Sequence, residues 1–182
     1  MTLEILAISG SLRRSSSNTT LLRAAALLAP EGVDIILYEG LGDLPAFNPD
    51  IEETDLPPVR DFQARLKSAG AVLISSPEYA HGVPGSLKNA LDWLVGGPEM
   101  VYKPIALLNP SPRSVHAQAS IAETLRTMST TLVDGACIAL PISGRGLDAD
   151  GIVANAELRA RLEGVLEAMR TATLLPPLVQ HE

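Results

Sequence analysis

The sequence predicts a doubly wound α/β domain, and three observations carry that prediction. Short apolar runs and apolar patterns at helical spacing alternate five times along the chain. The runs are continuous in Leu, Ile, Val and Ala, as parallel strands covered on both faces are. The chain has 182 residues, 46% of them hydrophobic, which suits one domain with its own core and excludes wholesale disorder. Right-handed crossovers between successive strands then place helices on both faces of the sheet.

The elements follow in order. Leu3 to Ile8 reads as the first strand, and a Ser- and Arg-rich stretch leads into a helix marked by Leu21, Leu22, Ala25, Leu28 and Ala29. Pro30 and Gly32 stop that helix. Val33 to Leu37 is the second strand, followed by a Gly-, Pro- and acid-rich segment over 39–58. Val59, Phe62 and Leu66 give the next helical face, and Ala71 to Ile74 the third strand. Leu87, Ala90, Leu91, Leu94 and Val95 stripe the third helix. Pro104 to Leu108 is the fourth strand. Ala117, Ile121, Leu125, Met128 and Leu132 mark the fourth helix, and Cys137 to Ile142 the fifth strand. Leu158, Leu162, Val165, Leu166 and Met169 mark the last helix, and a frayed tail is expected over 176–182. One domain, 1–182, holds them all.

Composition narrows the partners. Fourteen basic residues against twenty-one acidic ones leave a net charge of −7, which argues against nucleic acid and against an anionic membrane surface. An anionic ligand would need a local feature that overrides this field. The single cysteine, Cys137, excludes an internal disulfide and reads as a small buried residue in an apolar run. The first residues show neither a basic n-region nor a long apolar h-region, and no run reaches the ~18 apolar residues of a membrane span. A cytoplasmic protein is therefore expected. Aromatic residues make up only 3%, namely Tyr38, Phe47, Phe62, Tyr79, Trp93 and Tyr102.

In an open parallel sheet, ligands sit outside the carboxyl ends of the strands. The loops beginning near Ser9, Ser75 and Asn109 are therefore expected to form the site. The first is the local positive feature: Ser9 to Thr20 is rich in Ser and Thr, carries Arg13 and Arg14, and opens a helix. Helix amino termini, hydroxyls and guanidinium groups together suit a phosphate. A plain helix cap from Ser17 or Asn18 is the other reading, and the two are compatible. The loop is neither G-x-G-x-x-G nor a P-loop, which favours a terminal phosphomonoester over a pyrophosphate. The second loop, Ser75 to Trp93, holds two of the aromatics, and Gly82 and Gly85 are candidates for positive φ or close ligand approach.

Here the sequence resembles the NADPH-dependent FMN reductase family of the flavodoxin-like superfamily, which includes quinone, azo and chromate reductases. The resemblance rests on Ser9 to Asn18, on Pro77-Glu78-Tyr79, and on Pro84-Gly85-x-Leu87-Lys88-Asn89-Ala90-x-Asp92-Trp93, and spans roughly residues 3 to 140. It implies a flavodoxin-like, doubly wound, five-stranded parallel sheet with helices on both faces. It also implies that Ser9, Ser11, Arg13, Ser17, Asn18 and Thr19 hold the phosphate of FMN. Pro77, Glu78, Tyr79, His81 and Gly82 would run along the isoalloxazine, with Tyr79 packed near the ring. Members often carry Asn-Gly after the Pro-Glu-Tyr triplet, where this chain has Ala80-His81. His81 is therefore either a flavin or nicotinamide contact or a solvated loop residue.

The third loop, Asn109 to His116, has Pro and Arg where many members are Gly-rich. Ser111 is the candidate flavin contact there. Arg113 either meets an NADPH phosphate or faces solvent at a helix start. Trp93 reads as core or subunit packing, and Lys88, Asn89 and Asp92 as a solvated face or a subunit contact. His81, His116 and His181 show no Cys or carboxylate at metal-ligand spacing, so no metal site is expected. No side chain is required as a catalytic acid. The resemblance implies an oxidoreductase that uses FMN to pass electrons from NADPH, or NADH, to free flavin, a quinone or a related small-molecule acceptor by a ping-pong hydride transfer. It also implies a homodimer or homotetramer. A flavodoxin-type electron carrier and a flavin-free binding module on the same fold are the alternatives.

Overall fold

The computed structural model describes residues 2–51 and 56–174. The tail over 176–182, with His181, lies outside the described residues, as does part of the segment after the second strand. The strands are β1 (Leu3–Ser9), β2 (Val33–Tyr38), β3 (Ala71–Ser75), β4 (Pro104–Asn109), β5 (Thr131–Leu132) and β6 (Ile138–Ala139). The helices are α1 (Ser17–Leu27), α2 (Pro57–Ser68), α3 (Gly85–Asp92), α4 (Val115–Thr127), α5 (Ala149–Ala154) and α6 (Ala156–Leu174), with a short 3-10 turn over Gly40–Asp43. The sheet is parallel in the order β2-β1-β3-β4-β5, with β6 also on β4. This is the flavodoxin-like architecture that the sequence predicts.

Alternation along each buried strand splits the core in two. Leu6, Ile8, Val72, Ile74, Ile105 and Leu107 face one layer, with Phe62, Leu66, Leu87, Leu91, Ile121 and Leu125 from α2, α3 and α4. Ile5, Ala7, Ala71, Leu73, Ala106 and Leu108 face the other, with Leu21, Leu22, Leu162, Val165 and Leu166 from α1 and α6. Each fully buried Leu or Ile is worth about 1.5–3 kcal/mol. The buried aromatics among the described residues, Tyr38, Phe62 and Trp93, all lie in the first layer, and the second is built from aliphatic side chains and Met169.

Several expectations need correction. The fifth strand is not continuous over 137–142. Two short pieces flank an excursion: β5 pairs with Pro104 and Ile105, and β6 with Leu108 and Asn109. Asp134-Gly135, a turn signal with Gly135 at φ 77°, lifts the chain off the edge between them. Leu132 consequently belongs to β5 and not to the fourth helix. Val95 lies past the end of α3 and is 61% exposed. Cys137, on the excursion, is exposed rather than buried. The helix α5, with Asp148 as its cap, was not expected.

One contact has a measurable consequence for the fold. Lys103, just before β4, turns its half-buried amine onto the carbonyls of Leu66 and Ala69, at 2.6 and 2.5 Å. These close the carboxyl end of α2, where unpaired carbonyls and the negative dipole end meet a cation. Lys103→Met leaves both carbonyls without this donor and should cost about 1–3 kcal/mol in urea-induced unfolding; an unchanged midpoint would refute the capping role.

Candidate functional site

Among the described residues, the buried polar side chains are Ser9, Ser11, Ser16, Asn18, Ser75, Ser76, Asn109 and Ser114. Every one lies at the carboxyl edge of β1, β3 or β4 or in the chain just beyond it. Buried polar groups are costly unless hydrogen-bonded, and several of these bond to one another or to the backbone of these loops. Ser75 Oγ donates to Asn18 Oδ1 at 3.0 Å, and Gly10 N–H donates to the Ser75 carbonyl at 2.9 Å. Ser9 Oγ and Thr19 Oγ1 are 2.8 Å apart. The Asn109 amide donates to the Ser114 carbonyl, and its oxygen accepts from Ser111 N–H, each at 3.0 Å.

The first loop is held tightly against the second. A Cβ on Gly10 would lie 2.8 Å from Ser76 Cβ and 3.2 Å from Leu87 Cδ2, so only glycine fits. The helix cap is Ser16, whose Oγ accepts from Thr19 N–H, rather than Ser17 or Asn18. Ser17 is half-buried at the first position of α1, and Asn18 is committed to Ser75. Beside the loop lies a cavity of about 190 Å³, lined by Ser9, Ser11 and Thr19, by Arg13, Arg14 and Arg23, and by one acidic residue, Glu39. Arg23 was not singled out from the sequence; its position one turn after Thr19, on the same face of α1, was the available signal. Tyr38 also lines this cavity, its hydroxyl pushed up to about 12 by burial and by the nearby carboxylates of Asp61 and Asp43.

In the second loop, Tyr79 and Gly82 exchange both backbone hydrogen bonds, at 3.1 and 2.9 Å. Ala80 and His81 between them take φ of 50° and 60°, the backbone of a type I′ turn. Neither Gly82 nor Gly85 has positive φ. Tyr79 is 52% exposed, its ring available to a ligand. Glu78 reaches from the loop to α4, where Oε2 accepts from Ala117 N–H at 2.9 Å and so caps that helix. That backbone bond, with help from His116 and His81, holds its carboxyl below the usual carboxylate range. Glu78 Oε1 lies 3.4 Å from His81 Nδ1, and the His81 and His116 rings meet edge to face at 4.4 Å. The three side chains thus cluster: Glu78 and His81 are near neighbours in the sequence, and the fold brings His116 to them.

Ser111 is half-buried in the third loop and Arg113 is exposed. Asn89 and Trp93 are not surface groups. Asn89 Nδ2 and Trp93 Nε1 both donate to the Pro45 carbonyl at 2.9 Å, and Asn89 Oδ1 accepts from Phe47 N–H at 2.7 Å. Lys88 and Asp92 form an exposed pair on α3, which is worth little. No helix among the described residues is long and apolar enough to cross a membrane.

The model of the NADPH-dependent FMN reductase family matches residues 3–144. An NAD(P)H-dependent FMN reductase of Pseudomonas aeruginosa is 30% identical over 92% of this chain and 94% of its own length. An NADPH:quinone oxidoreductase of Arabidopsis thaliana is 40% identical over 59% of this chain and 57% of its own. Among solved structures, the flavoenzyme NAD(P)H:(acceptor) oxidoreductase FerB of Paracoccus denitrificans superposes with a TM-score of 0.81 at 28% identity, covering 95% of this chain and 98% of that one.

Proposed function

The chain belongs to the NADPH-dependent FMN reductase family, and from that premise we propose an FMN-dependent reductase that takes electrons from NADPH, or NADH, and delivers them to free flavin, a quinone or a related small acceptor. The carrying observation is the concentration of buried hydroxyls and amides at one edge of the sheet beside an arginine-lined cavity. In a chain of net charge −7, Arg13, Arg14 and Arg23 beside Ser9, Ser11 and Thr19 give this cavity a local positive excess over its one carboxylate, Glu39, which suits an anion.

The residues present fit FMN. Ser9, Ser11 and Thr19 supply hydroxyls, and Arg13 supplies a fork that can grip a phosphomonoester. The first turn of α1, including Ser17 and Asn18, supplies amide donors and the positive dipole end. The backbone of Pro77 to Gly82 and the half-buried Ser111 border the place for the ring, with Tyr79 at its side. FMN held there would supply the redox chemistry between nicotinamide and acceptor. The protein's part is anchorage and orientation: the Ser75–Asn18 and Asn109–Ser111 bonds fix the loops from behind, and Glu78 ties the second loop to α4. Donor and acceptor would use one open cleft in turn, which gives ping-pong kinetics.

Two measurements test this. Purified protein should show a flavin visible spectrum, or gain one with added FMN, and should oxidise NADPH when a quinone is supplied. A flavin-loaded protein that leaves NADPH untouched would establish a carrier instead. Arg13→Ala should weaken FMN binding about 10- to 100-fold, the loss of one charge-assisted contact, while the circular dichroism spectrum stays unchanged. Undiminished affinity would remove Arg13 from the phosphate site.

A further inference from the structure

We propose that Glu78, His81 and His116 form a site for one borderline divalent metal ion of the Zn²⁺ type. The proposal goes beyond the reductase reading, and its ligand atoms lie apart from the hydroxyl- and arginine-lined cavity.

The geometry carries it. One ligand atom from each of the three residues can be chosen so that all lie within 4.8 Å of one another. The 3.4 Å between Glu78 Oε1 and His81 Nδ1 is long for a hydrogen bond. It equals the edge of a tetrahedron with metal–ligand bonds of about 2.0–2.2 Å. Two imidazoles and one carboxylate are a ligand set that Zn²⁺ accepts, and three protein ligands leave one position open. His81 and His116 are exposed, so an ion has a path in and room to draw the third ligand close.

The carboxylate is already oriented. Glu78 Oε2 is fixed by the Ala117 amide, which leaves Oε1 beside His81 Nδ1, the support that metal ligands commonly receive. The backbone makes a second, independent point. The hairpin Tyr79–Gly82 needs two left-handed residues, a turn for which Asn-Gly is the favoured pair. This chain places Ala80 and His81 there instead, at φ 50° and 60°. A left-handed conformation is unfavourable for a side-chain-bearing residue and persists at functional sites. Here it aims the imidazole of His81 at Glu78 and against His116. An ion held there would bridge the loop after β3 to the first turn of α4, the two segments that flank the ring site.

The test uses tag-free full-length protein stripped with a chelator and then desalted. Isothermal titration with ZnCl₂ should give one ion per chain, and Co²⁺ should give visible bands at the same stoichiometry. His81→Ala in the loop after β3 and His116→Ala in the first turn of α4, both at exposed positions, should each weaken Zn²⁺ binding by roughly tenfold or more. Cys137→Ser should leave binding unchanged. His81→Gly should lose Zn²⁺ as His81→Ala does while raising the unfolding midpoint, because glycine relieves the left-handed position. Absence of binding in the parent protein, parent-like affinity in either histidine variant, or loss of binding in Cys137→Ser would overturn the proposal.

Discussion

Trp93→Ala should destabilise the protein by about 3–5 kcal/mol, the range for removing a large buried aromatic. The side chain is 2% exposed and packs in the layer that holds Phe62, Leu91 and Leu94. It also reaches outward. Its indole N–H donates to the Pro45 carbonyl, and Phe47 meets its ring edge-on with centroids 5.0 Å apart. Truncation therefore opens a cavity and releases one clamp on the segment after the 3-10 turn. Trp93→Phe separates the two effects. It keeps most of the ring volume and loses only the indole donor, and Pro45 still accepts from Asn89, so its cost should be nearer 1 kcal/mol. Guanidinium unfolding measures both, with the midpoint falling and the slope unchanged. Equal losses in the two variants would mean that the hydrogen bond, not burial, is the role of Trp93.

Trp93 also shows which parts of the molecule can be read from sequence. Its position beside Leu91 and Leu94 assigned it to packing because helical stripes are local, and the same locality exposed β1 to β4 and the core faces of α1, α2, α4 and α6. The site's location followed from strand alternation alone, since a doubly wound sheet gathers the loops after β1, β3 and β4 at one edge. Resemblance supplied the cofactor; periodicity would not have. What escaped was non-local or degenerate. The Glu78–Ala117 bond joins residues 39 apart in sequence, so no spacing rule could reveal it, nor the meeting of His81 and His116. Ser15, Ser16, Ser17 and Asn18 are four adjacent residues of capping type, and only the backbone of Ser16 selects among them. Asp134-Gly135 could equally precede a strand or interrupt one, and it interrupts. Cys137 became exposed as a consequence.

Gly10→Ala should impair the candidate site more than any single polar deletion in it, because it acts on two loops at once. The added methyl would sit 2.8 Å from Ser76 Cβ and 3.2 Å from Leu87 Cδ2, closer than packed carbons approach. Ser76 is 3% exposed and Leu87 1%, so neither can swing into solvent. The loop after β1 must move away from the loop after β3, and the Gly10–Ser75 and Asn18–Ser75 bonds that register them must stretch or break. Overpacking of this kind costs about 1–3 kcal/mol, and a displacement of about 1 Å in a positioned site can cost 10²-fold in function. FMN affinity is therefore expected to fall about a hundredfold, alongside the loss of stability. Ser76→Gly removes both the Cβ and the hydroxyl that the new methyl meets. In the double variant it should restore much of both losses, a coupling that a double-mutant cycle reads directly. Parent-like FMN uptake by Gly10→Ala would show that this close approach does not shape the site. Independent, additive losses would show that Gly10 matters for its own loop and not for the contact between the two.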